Sequence, residues 1–136
     1  MQTITNKGSC LCGRVCYEVD GELPAPFLCH CSRCRKAHGS AFAAIAAVET
    51  KDFRIIAGKD VLGNYAHNGA YRWFCKNCGS QLFTTRDAMP HLVRLRIASL
   101  DTRYDKKPSA HGYATSKADW YDILDGAPQY VERPPQ

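Results

Sequence analysis

The sequence predicts a mainly β fold of short antiparallel strands with one or two short helical turns. Three observations carry that prediction. Residues 14–19 and 92–98 alternate apolar and polar side chains with the period of two that half-buried strands require. The other apolar runs are short, and glycine or proline interrupts them at Gly21, Pro24, Pro26, Gly39, Gly58 and Gly63. Eight cysteines gather in tight clusters, at 10, 12 and 16, at 29, 31 and 34, and at 75 and 78, spacings that suit convergence on a metal ion better than the bridging of distant loops.

Taken in order, Arg14 to Val19 put Val15, Tyr17 and Val19 on one face, a first strand leaving the first cysteine pair. Gly21, Pro24 and Pro26 break it. The Cys29 to Cys34 cluster then lies on a loop that turns helical after Ser32, the expected N-cap, and Gly39 ends the short helix. Phe42 to Val48 is apolar and Ala-rich, ambiguous by period, and its length and flanks favour a buried strand. Phe53 to Ala57 and Leu62 to His67 are short runs, and Tyr71 to Phe74 leads into Cys75-Lys76-Asn77-Cys78-Gly79, a knuckle whose return strand is Gln81 to Thr85. Gly79 relieves the tight turn there. Leu92 to Ala98 is the cleanest strand, with Val93, Leu95 and Ile97 opposite Arg94 and Arg96. A further run at His111 to Ala114 precedes one expected helical turn at Trp120 to Leu124 and a proline-rich tail ending Pro134-Pro135-Gln136.

A chain of 136 residues, 45% hydrophobic and 23% charged, has the material for one core, so a single domain over residues 1–136 is expected. Met1 to Lys7 lacks the apolar core of an export signal, and no segment reaches the run of about 18 apolar residues that a membrane span needs. The expectation is a cytoplasmic protein without membrane attachment, whose thiols stay reduced. Its formal charge of +5 invites a nucleic-acid partner. Bound metal changes that figure: four thiolates around one dication leave −2 and three leave −1, so two filled sites bring the total to about +2. Arg14, Arg33, Arg35, Lys36, Arg72 and Lys76 lie close to the clusters, where they offset thiolate charge. The basic excess is then too small to argue for phosphate binding.

Zinc takes four tetrahedral ligands, and a structural site is usually built from two short cysteine pairs on separate segments. Cys10 with Cys12 and Cys75 with Cys78 are such pairs. The long interval between them rules out a small independent finger, so the metal would tie the first strand to the middle of the chain and its binding energy would become folding energy. Four reduced thiols without metal are the plainer alternative. Cys29, Cys31 and Cys34 supply three thiols, one short of a closed set, and an open fourth position would admit water or substrate, as in catalytic zinc. Two alternatives stay open: His30 or Cys16 completes a second structural site, or the cluster holds no metal. Adjacent residues seldom ligate one ion together, so His30 is expected to point elsewhere, and Cys16 to be a small strand residue. His38 and His111 are the histidines placed to carry protons at neutral pH, or to make ordinary polar contacts.

Three segments carry a family resemblance: Gly8-Ser9-Cys10-Leu11-Cys12-Gly13, Cys29-His30-Cys31-Ser32-Arg33-Cys34-Arg35 and Phe74-Cys75-Lys76-Asn77-Cys78-Gly79-Ser80. Together they resemble the glutathione-dependent formaldehyde-activating enzymes, a family that includes centromere protein V. The match continues through Gly39-Ser40-Ala41-Phe42, Ser99-Leu100-Asp101 and His111 to Trp120. The resemblance implies a β-tent fold, a structural zinc at Cys10, Cys12, Cys75 and Cys78, and a second zinc site at Cys29, Cys31 and Cys34. It further implies carbon–sulfur lyase chemistry, the interconversion of S-hydroxymethylglutathione with glutathione and formaldehyde.

The leading expectation is therefore a zinc enzyme acting on a small-molecule thiol or thiol adduct, with His111 or His38 moving the proton and Arg33, Arg35 or Arg94 holding substrate carboxylates. The alternative is a non-catalytic zinc scaffold that binds protein or nucleic acid. Only seven residues precede Gly8, and no basic extension accompanies them, which argues against nucleic acid. A third reading makes Cys29, Cys31 and Cys34 a zinc store or redox sensor.

Overall fold

The computed structural model describes residues 4–134, so Pro135 and Gln136 of the expected tail lie outside the described residues. The described strands are β1 (Thr5–Ser9), β2 (Cys16–Asp20), β3 (Phe27–Cys29), β4 (Ala43–Glu49), β5 (Phe53–Ala57), β6 (Leu62–His67), β7 (Ala70–Cys75), β8 (Gln81–Arg86), β9 (Leu92–Arg96) and β10 (Ala110–Gly112), with one α-helix, α1 (Ser32–His38). Short 3₁₀ turns connect several of them. The fold is mainly β, as expected. Among the described residues no helix is long and apolar enough to cross a membrane.

The chain divides into two compact units. Among the described residues, the first comprises 4–24 and 46–105, the second 25–45 and 106–134. In the first, β1, β2 and β5 form an antiparallel sheet in that order. A second sheet there runs from the end of β4 through β9, β8 and β7 to β6. Val15, Tyr17, Val19, Leu82, Val93 and Leu95 form its core. β2 owes its place to the alternation expected of it, with Tyr17 and Val19 buried and Cys16 and Glu18 half-buried. β1 alternates in burial too, but its inward residues, Asn6 and Gly8, bring no apolar side chain; it is held by register with β2 and by Asn6, whose buried amide donates to Gly21 O at 2.8 Å and Val19 O at 3.2 Å.

β9 departs from its expected form in two ways. Arg94 and Arg96 are as buried as Val93 and Leu95, so both faces of the strand are covered. The strand also stops at Arg96 and passes into a 3₁₀ turn at Ile97–Ser99. There the Ser99 hydroxyl donates to Arg96 O at 2.9 Å and bonds the Tyr17 hydroxyl at 2.7 Å, a local side-chain bond that competes with continued pairing.

In the second unit β3 lies between β10 and the start of β4, parallel to β10 and antiparallel to β4. Cys29, expected at the start of a loop, instead ends strand β3. Gly39, in the left-handed region, ends α1 as its position in the sequence suggested. The helix cap is Cys31 and not Ser32: the Cys31 sulfur accepts from Cys34 N at 3.3 Å. The expected helical turn at Trp120 to Leu124 is not formed. A 3₁₀ turn occupies Ala114–Ser116 instead, and Trp120 and Leu124 are 73% and 91% exposed, leaving a helix there little apolar surface to bury.

Candidate metal centres

Cys10, Cys12, Cys75 and Cys78 converge, all four sulfurs lying within 4.8 Å of one another. Two turns deliver them. After β1 the chain reverses with Gly13 N bonded to Cys10 O and Cys10 N to Val15 O, each at 3.0 Å, so Cys10 and Cys12 face one point. After β7 the Gly79 N–H donates to Cys75 O at 2.7 Å, closing the knuckle around Cys75 and Cys78. The sulfurs of Cys10 and Cys12 are 3.6 Å apart and those of Cys12 and Cys75 3.8 Å. Four sulfurs at tetrahedral zinc, with bonds of roughly 2.3 Å, would stand about 3.8 Å from one another, so this donor set fits the ion. Ser80 joins the two turns, accepting from Leu11 N at 2.9 Å and bonding the Cys78 sulfur at 3.3 Å.

These neighbours bias Cys78 and Cys12 toward thiolate. The Ser80 hydroxyl, then its backbone N–H, brings Cys78 down to about 5, and the Asn77 side chain with the Arg14 backbone lowers Cys12. Burial raises Cys75 to about 11. Cys16 stands apart from the group, its thiol donating to Gly13 O at 3.4 Å.

In the second unit Cys29, Cys31 and Cys34 form a three-sulfur group within the same 4.8 Å limit, with Cys29 and Cys31 3.5 Å apart. Cys29 ends β3, Cys31 caps α1, and Cys34 lies in its first turn. Phe27, Ala43, Ile45 and Tyr113 pack around them. The Cys29 thiol, then Cys34, holds Cys31 far below the usual thiol range, while the shared hydrogen bond to Cys31 raises Cys29. Among the described residues, no fourth His, Cys, Asp or Glu joins this group.

The histidines meet elsewhere. His30 Nε2 lies 2.8 Å from His111 Nδ1, and His111 Nε2 lies 2.8 Å from Asp125 Oδ1. The two rings are 0% and 1% exposed, with Phe42 and Tyr121 packed on His30. Burial, then the charges of His111 and Lys117, pushes His30 below its ordinary value, so it is neutral near pH 7. The His111 hydrogen bond depresses Asp125, which is therefore ionised. His38 is the last residue of α1, and Arg94 is buried on β9 of the first unit. Asp125 belongs to no local pattern and was not visible in the sequence, and Ser80 stood there only as the last residue of the Phe74–Ser80 motif, with no role assigned.

Residues 5–116 match the family model of the glutathione-dependent formaldehyde-activating enzyme. A Halomonas elongata protein carrying that enzyme name is 30% identical over 125 residues, covering 86% of this chain and 80% of that one. A Schizosaccharomyces pombe protein described as an uncharacterized lyase is 33% identical over 78 residues, 57% of this chain and 55% of its own. The crystal structure of a Rhodobacter sphaeroides protein superposes with a TM-score of 0.62 at 30% identity, over 75% of this chain and 97% of that one. With the matched segment spanning most of the chain and containing every cysteine of both metal-fitting groups, this protein belongs to the glutathione-dependent formaldehyde-activating enzyme family.

Proposed function

We propose that the chain is a zinc-dependent carbon–sulfur lyase acting on a small thiol adduct, with S-hydroxymethylglutathione as the first candidate substrate. The observation that carries this reading is the three-sulfur group of Cys29, Cys31 and Cys34. Three donors leave a fourth tetrahedral position for an atom of substrate, the arrangement of catalytic zinc. Cys10, Cys12, Cys75 and Cys78 are the closed counterpart, and would hold a structural ion. Family membership and the names of the related proteins support the reaction class. Zinc bound at Cys29, Cys31 and Cys34 would supply Lewis acidity toward an adduct oxygen and stabilise a substrate thiolate at neutral pH.

The reaction balances without a further reactant. In RS–CH₂–OH the carbon–sulfur bond breaks with its electron pair going to sulfur, the hydroxyl oxygen becomes the formaldehyde oxygen, and the hydroxyl proton ends on the thiol. The protein's task is to hold the adduct. Arg33 and Arg35 stand beside Cys34 on α1, Arg33 exposed and Arg35 half-buried with no partner for its Nε. They are the cations that would grip carboxylates of a glutathione-like molecule through charge-assisted bonds. His111 has both ring nitrogens engaged, so its part in this reading is to support other residues. Reduced thiols are needed throughout, which accords with a cytoplasmic setting.

The test is turnover of glutathione with formaldehyde by the full chain, with the uncatalysed rate subtracted. Wild type is expected to exceed that background and Cys31→Ser to fall to it, with an unchanged circular dichroism spectrum. A wild-type rate at background across several thiols and aldehydes, from protein carrying its metal, would replace the enzyme with a zinc scaffold.

A further inference from the structure

Among the described residues the outer strands of the sheets are β1, β5, β6 and β10, and the chain treats their edges differently. The edge of β10 is covered by the segment at Pro128 to Tyr130: Pro128 O accepts from His111 N at 2.8 Å, and Tyr130 N donates to His111 O at 2.9 Å. That of β1 is covered after Leu100, where Asp101 N and Thr102 N donate to Lys7 O at 2.8 and 3.2 Å. β5 carries Arg54 and pairs with β2 through a bulge, two features that discourage further pairing. β6 has none of these protections. Its sequence, Leu-Gly-Asn-Tyr-Ala-His, holds no proline, lysine, arginine or carboxylate, and its six pairs with β7 run without a bulge.

The hairpin turn fixes which backbone groups of β6 face outward. Asn68 and Gly69 have φ of 49° and 74°, a two-residue loop with both central residues left-handed, whose flanking residues bond each other. His67, Tyr65 and Gly63 therefore direct their N–H and C=O groups to β7, as does Val61, whose carbonyl accepts from Lys76 N at 2.7 Å. Leu62, Asn64 and Ala66 turn theirs outward, where no other described segment bonds them. Bare N–H and C=O groups along a regular strand are a template for another strand.

We infer that this edge docks a second copy of the chain, the two β6 strands pairing antiparallel about a two-fold axis at Asn64. The outward groups then bond Asn64 to Asn64 and Leu62 to Ala66, each bond repeated by the symmetry. The alternate positions put Tyr65 of each copy opposite Gly63 of the other. Tyr65 is 57% exposed in the single chain. Gly63 leaves no room for a side chain of its own: a Cβ there would fall 2.7 Å from Lys76 Cγ and 3.4 Å from Phe74 Cζ. The Lys76 stem and the Phe74 ring thus form an apolar seat for the incoming tyrosine. At the axis the two Asn64 amides can exchange donor and acceptor. No like charges face each other between Leu62 and Ala66 in this register. It is this self-complementarity, a ring opposite a gap on both sides of one polar centre, that selects a second copy over an unrelated strand. Pairing about a two-fold axis uses both bare edges and closes at the dimer.

The inference uses neither the cysteine groups nor the lyase reading. Sedimentation equilibrium of the full chain over about 1 μM to 1 mM is expected to show a dimer whose fraction rises with concentration. Where nine chains in ten are paired, amide exchange should slow about tenfold at Leu62, Asn64 and Ala66, whose N–H groups bond only in the dimer. Asn64→Pro removes the central outward N–H without touching the ladder to β7, and should leave a monomer. Asn64→Lys sets two like charges at the axis and should weaken the dimer about fivefold, and mixing it with Asn64→Asp should restore pairing. A wild type that stays monomeric at the top of the range overturns the inference, and so does a dimer that Asn64→Pro leaves intact. The exchange measurement needs only wild type, so it decides even if a variant misfolds: a dimer whose Leu62, Asn64 and Ala66 amides exchange as fast as in the monomer pairs through another surface.

Discussion

A methyl group at Gly8 would fall 2.1 Å from Tyr17 Cζ, a distance no packed pair tolerates. Tyr17 has no room to yield, being 1% exposed and tied by its hydroxyl to Ser99 at 2.7 Å. Gly8 faces Tyr17 directly in the β1–β2 register, so its lack of a side chain is what allows the ring to lie across β1. Gly79 is required for a different reason. Its Cβ would meet nothing within 4 Å, but its φ of 81° is one that other residues adopt only at a cost. Gly8→Ala is therefore expected to lose about 2–3 kcal/mol by overpacking, and Gly79→Ala about 1–2 kcal/mol by backbone strain alone. Urea unfolding of the two variants measures the difference, and equal losses would contradict the steric account.

The short helix α1 is organised by the cysteine group itself. Cys31 accepts from Cys34 N and so uses its sulfur both as cap and as a member of the three-sulfur set. A capping oxygen serves that place as well as sulfur does. In metal-stripped protein Cys31→Ser should keep α1 and stay within about 0.5 kcal/mol of wild type, whereas Cys31→Ala should lose about 1 kcal/mol with the cap. Chemical denaturation followed by circular dichroism compares them. If alanine and serine behave alike, the sulfur does not cap the helix. The same comparison supports Cys31→Ser as the variant for the activity test, since it removes the thiol and keeps the element that carries Cys34.

Across the whole chain the two cysteine groups have different structural weight. Cys10 and Cys12 follow β1, Cys75 ends β7 with Cys78 just beyond it, and these strands belong to different sheets of the first unit. An ion shared among them would cross-link segments 63 positions apart, and closing so long a loop removes much unfolded-state freedom. The Cys29, Cys31 and Cys34 group spans a single turn and closes almost nothing. Cys75→Ser is thus expected to cost the folded protein several-fold more stability than Cys34→Ser, and a mild chelator should strip the three-sulfur group first. Following thermal unfolding and zinc release together checks both, and equal melting of the two variants would remove the structural role of the first group.

The sequence by itself determined the pairs Cys10–Cys12 and Cys75–Cys78 and the Cys29, Cys31 and Cys34 cluster, because short spacings dictate local convergence; joining the two distant pairs rested on zinc's need for four ligands. It determined β2 and the beginning of β9 through alternation, and the end of α1 through Gly39. It did not disclose β1, where Thr5 to Ser9 lack an apolar face and pairing depends on β2. The burial of Arg94 and Arg96 was equally hidden, since a polar residue in an alternating strand reads as exposed until a second layer covers it. Only the tertiary structure decided that His30, His111 and Asp125 form one hydrogen-bonded chain. The physical reason is that strand register and the path of an irregular segment bring these residues together, and neither leaves a mark on the residues' immediate neighbours in sequence.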